Sequence, residues 1–205
     1  MRGRFITLEG IDGAGKTTHL EWIVGFLRGR GISVTSTREP GGTPLGERIR
    51  ELVLHSSAKL NVETETLLMF AARREHIDKV IEPALASGTW VVCDRFTDAT
   101  FAYQAAGSGV SWSKVEQLER WAQDGLAPDA TILLDVSPEV GLARAGRGKR
   151  PDRFESERLE FYERVRQAYL ERAQAAPRRV FIIDAGRPLA DIHKELEKIV
   201  VTLCS

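Results

Sequence analysis

Glycines at positions 10, 13 and 15 run directly into Lys16 and Thr17, so that Gly10-Ile11-Asp12-Gly13-Ala14-Gly15-Lys16-Thr17 completes the pattern G-x-x-x-x-G-K-[ST]. The chemistry of such a stretch is the holding of phosphate. Backbone without Cβ atoms can wrap an anion with its N–H groups, and the helix that follows adds free donors and the positive end of its dipole. In this pattern the lysine, here Lys16, reaches the β- and γ-phosphates of a nucleoside triphosphate, and the hydroxyl of Thr17 holds Mg²⁺. The flanks fit: Phe5-Ile6-Thr7-Leu8-Glu9 alternates as a strand does, and Leu20, Ile23, Val24 and Leu27 recur at helical spacing after the loop.

The same alternation of strand and helix continues. Strands are expected at Phe5 to Glu9, Ser33 to Arg38, Trp90 to Asp94, Thr131 to Val136 and Val180 to Asp184. Helical sequence runs from Thr17 to Arg30, around Leu45 to Leu54, from about Val62 to Ser87 with Pro83 near its end, and from about Phe154 to Ala176. Ser137-Pro138-Glu139 reads as a helix start. Val91-Val92, Ile132-Leu133-Leu134 and Phe181-Ile182-Ile183 are unbroken apolar runs, as expected of strands covered on both faces. The fold class is therefore α/β: a five-stranded parallel sheet with helices on both faces, in a single domain over 1–205. The 205 residues carry 29 basic and 29 acidic side chains, so no global field draws the chain to nucleic acid or to an anionic membrane. No apolar leader precedes the first strand and no apolar stretch is long enough to cross a bilayer, which together give the expectation of a cytoplasmic protein. Cys93 and Cys204 form no C-x-x-C pair and read as reduced thiols. Trp22, Trp90, Trp112 and Trp121 read as core or interface residues.

Triphosphate binding alone leaves a kinase, a switch or a motor open. No N-K-x-D pattern reads guanine, no later strand ends in D-x-x-G, and the chain is short for a motor. A kinase acting on a small phosphorylated acceptor is favoured. A monophosphate with its second pKa at about 6 is largely a dianion near neutrality and needs no general base. That suits a chain whose histidines, His19, His55, His76 and His193, show no catalytic spacing and read as surface or helix-packing residues.

Several segments together resemble the thymidylate kinases of the bacterial type. They are Glu9 to Thr18, Arg38-Glu39-Pro40-Gly41-Gly42-Thr43-Pro44-Leu45, Met69-Phe70-Ala71-Ala72-Arg73, Asp94-Arg95-Phe96 through Ala102-Tyr103-Gln104, and Asp152-Arg153-Phe154-Glu155. The resemblance implies a P-loop kinase fold with a short Arg-rich lid at about 145–153, and transfer of the γ-phosphate of ATP to dTMP, with Mg²⁺, in a cytoplasmic homodimer that serves dTTP synthesis. It implies that Arg95 grips the acceptor phosphate, that Asp94 lies near Mg²⁺, and that Arg73 contacts the acceptor nucleotide, Arg74 being the competitor by adjacency. Either Met69 or Phe70 would supply the apolar face against thymine, Phe70 being equally suited to the core. Thr100, Tyr103 and Gln104 would face thymine and sugar, with Tyr103 crowding the 2′ position, where a buried hydroxyl would lose its water without gaining a partner. Ala99 stands where the family commonly has serine. Asp12 would approach the 3′-hydroxyl, or else simply stabilise its loop. The lid candidates are Arg147, Lys149, Arg150 and Arg153; Arg150 comes first and Arg153 second as the arginine acting at the transition state, with Arg147 next. Arg144 would lie against adenine, near Asp184-Ala185-Gly186. Another nucleoside or nucleoside-monophosphate kinase and a nucleotide-dependent switch are the alternatives.

Overall fold

A computed structural model of the chain describes residues 2–56, 60–146 and 159–204. Five parallel strands, β1 (Phe5–Glu9), β2 (Val34–Arg38), β3 (Trp90–Asp94), β4 (Ala130–Asp135) and β5 (Val180–Asp184), form one sheet in the order β2-β3-β1-β4-β5. Pleating sends Ile6 and Leu8 of β1 into one cluster with Leu20, Ile23 and Leu27 of α1 (Lys16–Gly29), while Phe5 enters another with Ile77, Ile81 and Leu85. The strand order reverses at β1, so the loop leaving β1 and the turn leaving β3 open onto the crevice where sheets of this kind bind ligands.

The remaining helices are α2 (Pro44–His55), α3 (Val62–His76), α4 (Glu82–Ala86), α5 (Thr97–Thr100), α6 (Trp112–Gln123), α7 (Pro138–Ala145), α8 (Leu159–Ala175) and α9 (Leu189–Cys204). Thr43 caps α2 by accepting from Gly46 N–H at 2.9 Å, and Ser137 caps α7 with Pro138 in its first turn. Two expectations are corrected. The single helix expected over Val62 to Ser87 is interrupted by a π-helical stretch, Ile77–Ile81, just before Pro83, whose missing N–H and bulky ring do not fit a regular turn. A second π-helical stretch, Phe101–Gly107, follows α5. The strand ends also move by one residue at β2 and β4, because Val34 is the first residue to pair with Trp90, and Ala130 with Ile6.

Candidate active site

The loop between β1 and α1 is built from glycines held at positive φ, where side chains are strained. Gly10 and Gly13 have φ of 135° and 76°, and a Cβ on Gly13 would lie 2.0 Å from the carbonyl oxygen of Gly141 in α7. Gly141 is pinned reciprocally, since its own Cβ would lie 2.7 Å from the Asp12 oxygen. Loop and helix thus touch backbone to backbone. Gly15, at φ 90°, sits at the N-cap of α1 without a capping side chain, which leaves the helix donors for an anion. Lys16 curls over the loop, donating from Nζ to the carbonyls of Gly10 at 3.1 Å and Ile11 at 3.0 Å. Burial, aided by the neighbouring Arg95, pulls its ammonium below the ordinary lysine range.

Thr17 and Asp94 line one pocket beside this loop. Asp94 Oδ1 is buried and has no hydrogen-bond partner among the described residues. Among those residues no group of three or more His, Cys, Asp or Glu could hold a metal by itself. One hydroxyl and one carboxylate with a spare buried oxygen fit Mg²⁺, which keeps waters and substrate phosphates as its other ligands.

Arg95, the residue after β3, adopts a left-handed backbone at φ 68°. A non-glycine residue there carries strain that its surroundings must hold. They do: Nη1 donates to Gly10 O at 3.2 Å and to Tyr169 Oη at 3.3 Å, and Nη2 donates to Asp12 Oδ1 at 2.5 Å and to Tyr103 Oη at 3.0 Å. The hydroxyls of Tyr103 and Tyr162 donate to Asp12 Oδ2 at 3.2 and 3.1 Å. Burial works to raise the Asp12 carboxyl, but Arg95, Lys16 and the two phenols outweigh it and hold it below the usual carboxylate range. Beneath them Glu9 is fully buried, accepting from Phe96 N–H at 2.7 Å and from the Tyr169 hydroxyl at 2.9 Å. Burial, with Asp98 nearby, pushes its carboxyl up to about 7.

A cleft opens from Asp12 and Arg95 toward α3. Of the residues expected at the acceptor, Asp12, Met69, Arg73, Arg95, Thr100, Tyr103 and Gln104 line it. Phe70 does not: it is packed with Phe101, Ala105, Val110, Val115 and Ala122. Helical geometry explains the correction, because Met69 and Arg73 stand four apart on one face and Phe70 is turned about 100° away. Phe70 still serves the site from behind, its ring 4.8 Å from the Arg73 guanidinium, with Phe96 at 5.0 Å. Arg74 donates instead to the Ala122 carbonyl at 2.9 Å. Arg73 is buried, donating from Nε to Glu39 Oε2 at 2.7 Å and from Nη2 to Thr100 Oγ1 at 2.9 Å. Gln104 is held by Glu65, to which Nε2 donates at 3.1 Å.

Of the two readings of His76, surface or helix-packing, the structure gives the second. His76 is fully buried between Glu39 and Thr37, because a polar ring inside the protein needs partners and both are supplied by the β2 end. Glu39, Pro40, Arg50, Leu54 and Phe96 line the cleft without having been assigned a role there, and Ala99, which stands where the family commonly has serine, lines it too. For Arg50 the sequence carried a usable signal, an arginine on the same helical stripe as Gly46 and Leu54. On the other side of the loop, Arg144 of α7 donates to the Ala185 carbonyl at 3.0 Å, which brings together the two segments expected near adenine. Arg147, Lys149, Arg150 and Arg153 lie outside the described residues.

Comparison with known proteins identifies the family. The family model described as thymidylate kinase matches residues 8–196. A thymidylate kinase of Methylobacillus flagellatus is 61% identical over 196 residues, covering 96% of both chains, and one of Nitrosospira multiformis is 57% identical over 203 residues, covering 99% of both. The crystal structure of thymidylate kinase from Ehrlichia chaffeensis superposes with a TM-score of 0.81 at 36% identity, covering 98% of this chain and 99% of that one. On a family match over residues 8–196 and full-length relatives at 57–61% identity, the chain belongs to the thymidylate kinase family.

Proposed function

We propose that the cleft between the phosphate loop and α3 receives dTMP with its base toward Met69, Arg73, Thr100 and Gln104 and its phosphate toward Arg95, while Gly10 to Thr17 hold the phosphates of ATP. The chain phosphorylates dTMP to dTDP. The observation that carries the arrangement is the convergence of Asp12, Arg73 and Arg95 on one cleft, with Asp12 belonging to the phosphate loop itself. An acceptor lying there meets a donor loop at one end and a buried arginine at the other.

In the transfer, an oxygen of the dTMP phosphate bonds to the γ-phosphorus of ATP and the bond from that phosphorus to the bridging oxygen breaks, ADP leaving with the electron pair. No residue need remove a proton from a dianionic acceptor. Lys16 exchanges the carbonyls of Gly10 and Ile11 for phosphate oxygens, and Arg95 exchanges Asp12 for the acceptor phosphate, a bidentate match for a guanidinium. Thr17 and Asp94 would hold Mg²⁺, whose chemistry is to draw charge off the phosphate oxygens as the phosphoryl group moves. Arg144 is assigned to adenine, and Arg150 and Arg153 of the lid to charge at the transition state. The protein is assigned to the cytoplasm as a single kinase domain acting as a homodimer; Leu67 of α3 and Trp121 of α6, 54% and 81% exposed on two helices that pack together, are the large apolar side chains such an interface would cover.

A coupled ADP-release assay over a panel of nucleosides and monophosphates tests the reading. Release with dTMP far above that with dCMP, dGMP, dAMP or thymidine is expected; equal or greater release with another acceptor overturns the placement. Sedimentation velocity of the wild type and Trp121→Glu tests the dimer.

A further inference from the structure

Arg73 is a buried cation in the wall of the cleft. Its Nε and Nη2 are taken by Glu39 and Thr100, its plane is flanked by Phe70 and Phe96, and Nη1, buried, is the guanidinium nitrogen without a partner among the described residues. A buried donor left over in a ligand cleft is held for an acceptor on the ligand. What fixes the direction of that donor is Glu39, and Glu39 is itself held from behind. Its Oε1 is 2.9 Å from His76 Nδ1, and His76 Nε2 is 2.7 Å from Thr37 Oγ1. A carboxylate only accepts, so Nδ1 carries the hydrogen toward Glu39, and Nε2 shares the second bond with the Thr37 hydroxyl. The turn after β2 closes over the imidazole: a Cβ on Gly42, whose φ is 78°, would stand 2.5 Å from it.

We propose that His76 is a positioning residue for acceptor recognition, anchoring Glu39 between Thr37 and Arg73 so that Arg73 Nη1 points at a carbonyl oxygen of the acceptor base. The chain Thr37-His76-Glu39-Arg73 runs from the end of β2 through two successive turns of α3 to the cleft, without touching the phosphate loop. A base that presents an amino group at that point, as cytosine does, would set donor against donor. The inference rests on dTMP lying in the cleft as proposed above.

The test compares His76→Asn, His76→Gln, Arg73→Lys and the double variant His76→Gln/Arg73→Lys by steady-state kinetics with dTMP and ATP, with thermal unfolding alongside. An asparagine amide can reproduce the Nδ1 donor toward Glu39, whereas a glutamine amide lies where Nε2 was. The KM for dTMP is expected to rise about 10-fold or more in His76→Gln with kcat and the ATP KM within about 3-fold, and to stay within about 3-fold in His76→Asn. In the Arg73→Lys background the glutamine should add less than about 2-fold, since the group it positions is gone. Equal effects of Asn and Gln that follow lost thermal stability, or a glutamine effect undiminished in the Arg73→Lys background, overturn the proposal. If His76→Gln does not fold, Thr37→Val leaves the ring in place and removes one anchor: a rise of about 2- to 5-fold in dTMP KM that vanishes with Arg73→Lys supports the chain, and no rise overturns it. Should Arg73→Lys alone leave the dTMP KM unchanged, the placement of dTMP falls and this proposal with it; should Arg73→Lys raise it and His76→Gln not, the role of His76 alone falls.

Discussion

Glu9→Gln is expected to change the pH dependence of stability more than stability itself. Glu9 is sealed at the end of β1 beneath Arg95, its oxygens bonded by Phe96 N–H and the Tyr169 hydroxyl. Burial and the nearby Asp98 push its carboxyl to about 7, against an ordinary 4.5 in an unfolded chain. At about 1.4 kcal/mol per pH unit that difference corresponds to about 3 kcal/mol. Between these two values the folded chain keeps a proton that the unfolded chain has released, so the proton favours the fold. The contribution is complete below 4.5 and is lost as the pH rises through 7. Glutamine is a permanent copy of the protonated acid: its amide oxygen can still accept from Phe96 and its NH₂ faces Tyr169 as the acid hydrogen would. Urea unfolding of wild type and variant from pH 5 to 8 reads the effect, with the wild type losing ground to Glu9→Gln by about 3 kcal/mol or somewhat less over that range. Any constant cost of rearranging the hydrogen bonds at Tyr169 shifts one curve without changing the trend. Parallel curves, or a gap moving the other way, would refute the claim that Glu9 is protonated in the fold at mildly acidic pH.

Lys16→Ala should reduce dTDP formation by at least about 10³-fold while leaving thermal unfolding close to wild type, since it removes charge at the transferring phosphoryl group and only two carbonyl contacts; near-normal turnover would sink the assignment of the loop. Tyr103→Phe keeps the ring over Arg95 but removes the hydroxyl that touches Arg95 and Asp12, so it should raise the dTMP KM by about 3- to 10-fold and leave the preference for deoxyribose intact, whereas Tyr103→Ala should relax that preference. Unchanged discrimination against ribo-TMP in Tyr103→Ala would remove the steric account. Arg150→Ala or Arg153→Ala should lower kcat by about 10²-fold or more with ground-state dTMP affinity nearly unchanged, as expected for a contact made mainly in the transition state. Single-turnover rates with equilibrium dTMP binding decide it, and unaltered transfer in both directs attention to Arg147.

What could be read from the sequence was whatever depends on near neighbours. β3, β4 and β5 announced themselves as apolar runs, β1 by its alternation, and the phosphate loop as a local pattern with the right flanks. The π-helical stretch at Ile77–Ile81 leaves only Pro83 as a trace, and the one at Phe101–Gly107 leaves none; it ends packed on α8, where a Cβ at Gly107 would meet the Phe161 ring at 2.6 Å. Arg73 against Arg74 and Met69 against Phe70 were questions of helical phase, which adjacent letters blur and a helix axis settles. Glu9, Glu39 and His76 were illegible for a different reason. Their partners stand far along the chain, His76 37 positions from Glu39 and Tyr169 160 from Glu9, so nothing nearby marked them as buried. A lone histidine without a metal-like spacing and an acid at the end of a strand look ordinary until the fold closes over them.

The contact between Gly13 and Gly141 bears on how such an enzyme can change over generations. A side chain at 13 would strike the carbonyl of Gly141, and one at 141 would strike that of Asp12, so neither position can acquire a larger residue first without displacing α7 from the loop. An arginine offered from the phosphate loop at position 13 is therefore not one tolerated step away; it demands a concerted shift of a helix and a loop that must keep working meanwhile. Beyond Lys16, a cation that meets the transferring group is left to come from outside this loop.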